Sequence, residues 1–242
     1  MGFVDLHDHL LWGIDDGCES PEETIEAAKL LLSLGWSEAA PSPHADPDLP
    51  SGDKAVCDSR RAEVTALLAE RGLSLPLHAN AENRLDEAFL ARADDPVARR
   101  GIGPTGRWVL VEAPFQVNLP ALPDLVFRLR RKGAMPLFAH PERCLEFERP
   151  GLAAEVIRLG GAHQLNLGSL AGLYGRQARR QAERFLGEGL YAVAASDLHQ
   201  PGEAGRWLEA GLRVLEKRAL SEGLRRLCAE NPRRILRGEE LP

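Results

Sequence analysis

The chain has only four cysteines in 242 residues, Cys18, Cys57, Cys144 and Cys228, and no two stand at a paired spacing. That excludes a disulfide framework and a CxxC zinc site. An excess of positive charge is also missing: 30 Lys and Arg face 36 Asp and Glu, for a net charge of -6. A nucleic-acid surface needs a basic stripe to neutralise phosphates, so no nucleic acid is expected as a partner. No apolar run approaches the roughly eighteen residues of a membrane span. The first residues lack a basic region followed by an apolar core and a cleavage site, and the expected location is the cytoplasm. No linker rich in glycine, proline or serine divides the chain, so residues 1–242 read as one domain.

What is present is a concentration of ligand-type side chains. The segment from Phe3 to Gly17, FVDLHDHLLWGIDDG, holds His7 and His9 one residue apart, with Asp15 and Asp16 at its end. In extended backbone, residues i and i+2 share a face, so the two imidazoles can aim at one ion. Asp15 and Asp16 are not separable on this evidence. Downstream, apolar strand-like segments alternate with helical ones. Ser20-Pro21-Glu22-Glu23 opens a helix with serine as N-cap, proline at the first position and glutamate three residues after the cap. Strands are expected at Phe3–Asp5, in SEAAPSPH ending at His44, in LSLPLHANAE exiting at Glu82, in WVLVEAP at Glu112, in MPLFAH at His140, in AHQLNLGS, and in YAVAASDLH at Asp197 and His199. Helices are expected over 55–71, 122–131, 152–160, 177–186, 207–217 and 220–228.

Alternation of this kind implies an α/β fold with a parallel sheet, and seven units suit a barrel. Barrels gather chemistry at the C-terminal ends of their strands. His7, His9, Asp16, His44, Glu82, Glu112, His140, Asp197 and His199 would then fall on one rim. His78 and His163 lie within or at the start of strands and read as structural. Nine ligands exceed the three or four that one ion takes, which implies two or three ions. Imidazole and carboxylate without thiolate suit Mn²⁺, Fe or Zn²⁺. Metal ions about 3.5–4 Å apart are a recurrent device for hydrolysing phosphate esters. Arg143, three residues after His140, is the candidate clamp on phosphate oxygens; its structural alternative is a pair with Glu142 or Glu146. Cys228 and Arg234 do satisfy a C-x5-R spacing, but the residues between them contain no glycine and Pro232 lacks an N–H, so no phosphate-cradling loop is expected there.

DLHDHLLWGIDDG, the SPH ending at His44, Glu82, VEAPF around Glu112, AHPER and SDLH occur in this order across nearly the whole chain. This pattern resembles the PHP (polymerase and histidinol phosphatase) superfamily, and within it the bacterial manganese-dependent tyrosine-protein phosphatases of capsule and exopolysaccharide biosynthesis, the CpsB/YwqE type. The GSLAGLYG segment at Gly168 to Gly175 belongs to the same resemblance. It implies a distorted seven-stranded (β/α)7 barrel with three divalent ions, Mn²⁺ first among the candidates. His7, His9, Glu82 and Asp197 would hold one ion, Glu82, Glu112 and His140 a second, and Asp16, His44 and His199 a third. The implied substrate is phosphotyrosine on a cognate bacterial tyrosine kinase. The implied chemistry is direct attack by a metal-bridging hydroxide, with no phospho-enzyme and with Arg143 on the phosphate. Trp12 stands where this subgroup usually has proline, and Ala79-Asn80-Ala81 precedes Glu82 where glycine is common. The alternatives are a small-molecule phosphomonoesterase of the histidinol phosphatase kind and a non-catalytic metal-binding regulator. The sequence offers no dedicated acid for an alkoxide leaving group, which favours the aryl ester.

Overall fold

The computed structural model describes residues 2–242; the first residue of the expected single domain lies outside them. Strand β1 (Phe3–Asp5) pairs in parallel with β2 (Trp36–Ala39) across helix α1 (Pro21–Ser33). The α1 start follows its sequence: Ser20 Oγ accepts from Glu23 N, and Glu23 reaches back to accept from Glu19 N. Helix α2 (Lys54–Glu70) follows, then β3 (Asn83–Arg84) and α3 (Glu87–Arg92). The remaining strands are β4 (Trp108–Glu112), β5 (Met135–Ala139), β6 (Ala162–Asn166) and β7 (Val193–Ala195). Helices α4 (Leu122–Arg131), α5 (Leu152–Arg158), α6 (Leu167–Ala171) and α7 (Gly175–Gly187) lie between them. β3 to β7 form one parallel sheet in sequence order.

Isolated bridges connect the two sheets. Asp8 pairs with Leu198, Ala39 with Leu77 and His44 with Glu82, all parallel. Asp197 N donates to His7 O at 2.7 Å and His9 N to Leu198 O at 2.8 Å, which ties the β7 exit to the β1 exit. The expected third strand needs correction. LSLPLHANAE makes only the two bridges at Leu77 and Glu82, and regular pairing is confined to Asn83–Arg84. Pro76 has no N–H to give a ladder, and the Asn80 side chain takes over that role by donating to Leu6 O and Ala40 O.

Strands buried on both faces read as continuous apolar runs, and β4 shows why. Trp108 and Leu110 face one cluster with Val4, Leu6, Met135, Leu137 and Val193, whereas Val109 and Val111 face the helices. Ile235 and Leu236 of α9 (Asn231–Leu236) close the first cluster from below. The helical ending has one element more than expected. α8 (Ala204–Arg225) is broken at Leu220 (φ 58°, ψ 173°), so the two expected helical stretches meet there at a kink, and a further short helix, α9, begins at Asn231-Pro232. Proline is tolerated in the first turn because its missing N–H would have no partner there.

Candidate metal centre

Each strand exit delivers its ligand-type residue to one place. His7 Nε2 lies 3.3 Å from Glu82 Oε2 and 3.2 Å from Asp197 Oδ1. His9 Nε2 is 3.7 Å from both of those oxygens. His140 Nε2 approaches Glu82 Oε1 at 3.2 Å and Glu112 Oε1 at 3.8 Å. His44 spans two carboxylates, with Nδ1 3.1 Å from Glu82 and Nε2 3.2 Å from Asp16. His199 Nε2 is 3.5 Å from Asp16. All nine expected residues therefore converge. Donor atoms lie within 4.8 Å of one another in each of four sets: His9, Asp16, His44 and His199; His7, His9 and Glu82; His7, His140 and Asp197; Glu82, Glu112 and His140.

The backbone at two exits is unusual. His140 (φ 30°) and Asp197 (φ 55°) adopt the left-handed conformation, which a non-glycine residue holds only when its surroundings enforce it. Gly17 is required for a different reason. A Cβ there would stand 2.3 Å from His9 O and 2.4 Å from His9 Cβ, so the DDG turn can fold back against His9 only with glycine at its end. That turn also separates the two aspartates. The Asp15 side chain is buried, accepts from His9 Nδ1 at 2.7 Å and from His44 N at 3.2 Å, and orients His9 with Nε2 toward the cluster. Asp16 is 63% exposed and faces His44 and His199. Gln164 Oε1 lies 3.1 Å from His7 Nδ1 and fixes that ring in the same way. Trp12 lies outside the cluster, under the Arg60 guanidinium at 4.6 Å.

The charges fit a cation. Burial alone would raise the Glu82 carboxyl, but His7 and His140 reverse this and hold it well below the usual range. Glu112 is pushed up to about 7 by burial and by the charge of Glu82. His7 is raised to about 10, because Glu82 and Asp197 outweigh the burial that opposes its charge. Nε2 of His7 and of His9 are buried without a hydrogen-bond partner. Orphaned imidazole nitrogens aimed at crowded carboxylates form a donor set for divalent ions.

Arg143 does not pair with Glu142 or Glu146. Its Nη1 donates to Asp197 Oδ2 at 3.0 Å, and its guanidinium stacks between Tyr174 at 3.9 Å and Phe115 at 4.6 Å. Asn166 Nδ2 also donates to Asp197 Oδ2, at 2.6 Å. Glu142 is buried under Tyr191, and Glu146 pairs with Arg149. The orienting role of Asp15, together with Gln164, Asn166 and the Tyr174 stack, is absent from the sequence reading. The GSLAGLYG segment that carries Tyr174 was the available signal. His163 and His78 are structural as expected: His163 Nε2 bonds Ala153 O at 2.9 Å, and His78 pairs with Glu38 away from the cluster.

Known proteins share the sequence and the fold of this chain. The tyrosine-protein phosphatase YwqE of Bacillus subtilis (strain 168) is 27% identical over 98% of this chain and 93% of its own length. The tyrosine-protein phosphatase CpsB of Streptococcus pneumoniae is 19% identical over 96% of this chain and 98% of its own. A crystal structure from work on YwqE and CpsB, described as unique metal-dependent tyrosine phosphatases, superposes with a TM-score of 0.86 at 26% identity, covering 99% of this chain and 96% of that chain. An amidohydrolase of Mycoplasma synoviae, with a TM-score of 0.61 at 12% identity over 97% of this chain and 87% of that one, shares the fold alone. Residues 3–237 match the family described as capsular polysaccharide synthesis, CpsB/CapC. With that match running almost end to end, the chain belongs to the CpsB/CapC family.

Proposed function

We propose that this protein is a metal-dependent phosphatase acting on phosphotyrosine in proteins, with a bacterial tyrosine kinase of capsule or exopolysaccharide synthesis as its substrate. The observation that carries the reading is the convergence of nine imidazole and carboxylate side chains beside a guanidinium sandwiched between two aromatic rings. Our reading of the architecture is one domain, a distorted seven-stranded barrel in which the isolated bridges link the two sheets; the bonds from the β7 exit to the β1 exit support it. Three divalent ions, Mn²⁺ first, would be held by His7, His9, Glu82 and Asp197, by Glu82, Glu112 and His140, and by Asp16, His44 and His199. Bound ions of this kind supply Lewis-acid charge and make a water acidic enough to deprotonate near neutral pH.

The chain's own residues do the rest. Arg143 offers planar, permanently charged donors to phosphate oxygens. Phe115, Leu145 and Tyr174 line a cleft of about 450 Å³ with it, an apolar wall for an aromatic ring. Asn166 and Arg143 occupy Asp197 Oδ2, which leaves Oδ1 toward His7. No thiol competes as nucleophile. Cys18 and Cys144 are buried beside the site, donate to backbone oxygens, and have pKa values raised by burial, to about 12 for Cys18. Phenolate, with a conjugate-acid pKa near 10, leaves without a strong acid. The test compares Mn²⁺-loaded protein on a phosphotyrosine peptide and on histidinol phosphate, with and without EDTA. We expect turnover of the peptide, its loss with EDTA, and solvent oxygen label in the phosphate after one turnover. Preference for histidinol phosphate would overturn the substrate assignment, and activity that survives EDTA would overturn the metal dependence.

A further inference from the structure

A second cavity, of about 370 Å³, lies between the loop after β2 and the segment after α3, and three cationic side chains line it: Lys54, Arg92 and Arg100. Arg100 is 8% exposed, with Nη1 on Ser51 O at 2.6 Å and Nη2 against Cys57 Sγ at 2.9 Å. Arg92 Nη2 bonds Ala45 O and the Asn83 side chain, and its Nε is buried without a partner. Among the described residues neither arginine has a carboxylate at ion-pair distance, whereas Lys54 is paired with Asp58. The single carboxylate in the lining, Asp95, has Oδ1 taken up by the amides of Val97 and Ala98. Arg100 is buried and Arg92 half-buried with its Nε shut off from water, and neither has an anion beside it; an oxyanion with charge-assisted bonds would offset the cost of that arrangement.

Ala45 is common to this cavity and to the mouth of the candidate metal centre, which Asp16, His44, Glu82 and Glu112 line. Its carbonyl accepts from Arg92 and its amide donates to Glu82 O at 2.9 Å. We infer that the Arg92–Arg100 cavity is a substrate subsite for a second anionic group, a carboxylate or phosphoryl, carried by the protein substrate close to the scissile phosphotyrosine. The inference rests on the phosphatase reading for the identity of the substrate. A peptide with its phosphate at the metal centre crosses Ala45 to place a flanking acidic side chain between the two arginines. The subsite counters the repulsion that the carboxylate-rich mouth exerts on an acidic peptide.

The test uses phosphotyrosine peptides of one length carrying glutamine, glutamate or a second phosphotyrosine at successive flanking positions. The readout is a ratio within one protein, acidic over glutamine, taken both from kcat/KM and from equilibrium binding by fluorescence anisotropy with Mn²⁺-loaded protein. At one position the acidic peptide should be preferred roughly tenfold, the range of a charge-assisted contact. The preference should fall with added salt and disappear in Arg92→Gln. Glutamate and phosphotyrosine arms identify which group the cavity takes. Equal ratios for all peptides in the wild type, or a preference retained in a folded Arg92→Gln, would overturn the subsite. If no peptide is turned over while the binding preference persists, the phosphatase reading fails and the subsite stands. If Arg92→Gln does not fold, the salt dependence and Arg100→Lys decide.

Discussion

His7 and His163 are both fully buried in one fold, yet their imidazoles are driven in opposite directions. His7 is raised to about 10 by Glu82 and Asp197 despite its burial. His163 falls to about 4, because burial acts on it with only the carbonyl of Ala153 in opposition. Neighbouring positions of β6 serve the two regions. Successive side chains of a strand point to opposite faces, so Gln164 reaches His7 at the rim while His163 packs against Phe138 and Phe147 in the outer core. Burial alone gives a histidine reason to be neutral; carboxylate company makes a buried histidine a place that attracts charge.

The largest way to break this contrast is Glu82→Gln. Glu82 contacts His7, His9, His44 and His140, so its loss should remove bound metal and lower kcat/KM by about a thousandfold or more, roughly 4 kcal/mol. Metal content by elemental analysis and single-peptide kinetics would check it; full metal occupancy in the variant would contradict a central role for this carboxylate.

On the core side the expected effect is about 3 kcal/mol. His163 has a folded pKa near 4 against 6.5 for the unfolded chain, so the unfolded state binds the proton more tightly. Its contribution is complete above the unfolded value and is lost as pH falls from about 6.5 toward 4, at about 1.4 kcal/mol per unit. Denaturant unfolding across that range should have a shallower acid limb in His163→Gln than in the wild type. Identical limbs would show that the two histidines do not differ as described.

The smallest change sharpens the rim itself. Asp15→Asn keeps the shape but removes the charge behind His9, and metal affinity should weaken roughly tenfold, as for orienting partners of metal-bound histidines. A loss as large as that of Glu82→Gln would make Asp15 a ligand rather than an orienting group.

The rim was legible because strand exits recur with the alternation of strand and helix, and because His, Asp and Glu at such exits share one end of a parallel sheet. What was illegible depended on distance in the chain or on backbone detail. Asp15 and Asp16 are chemically equal in sequence, and only the turn closed by Gly17 sends one inward. Arg143 finds Asp197 54 residues away, in preference to nearby Glu142 and Glu146. The third strand failed because the pattern around Leu75 and Leu77 is apolar enough, but Pro76 and the Asn80 amide replace ladder bonds. Arg92 and Arg100 sit in a stretch whose periodicity is mixed, and their lack of carboxylate partners is visible only in three dimensions.

The left-handed backbone at His140 and Asp197 bears on how this protein can be altered over time. Each such residue costs on the order of 1–3 kcal/mol, held in place by the surrounding packing. Glycine at either position would relieve the strain and remove a rim side chain together. Selection for heat resistance without selection for turnover would thus find gains at these positions, and a lineage freed from its substrate has no reason to keep them.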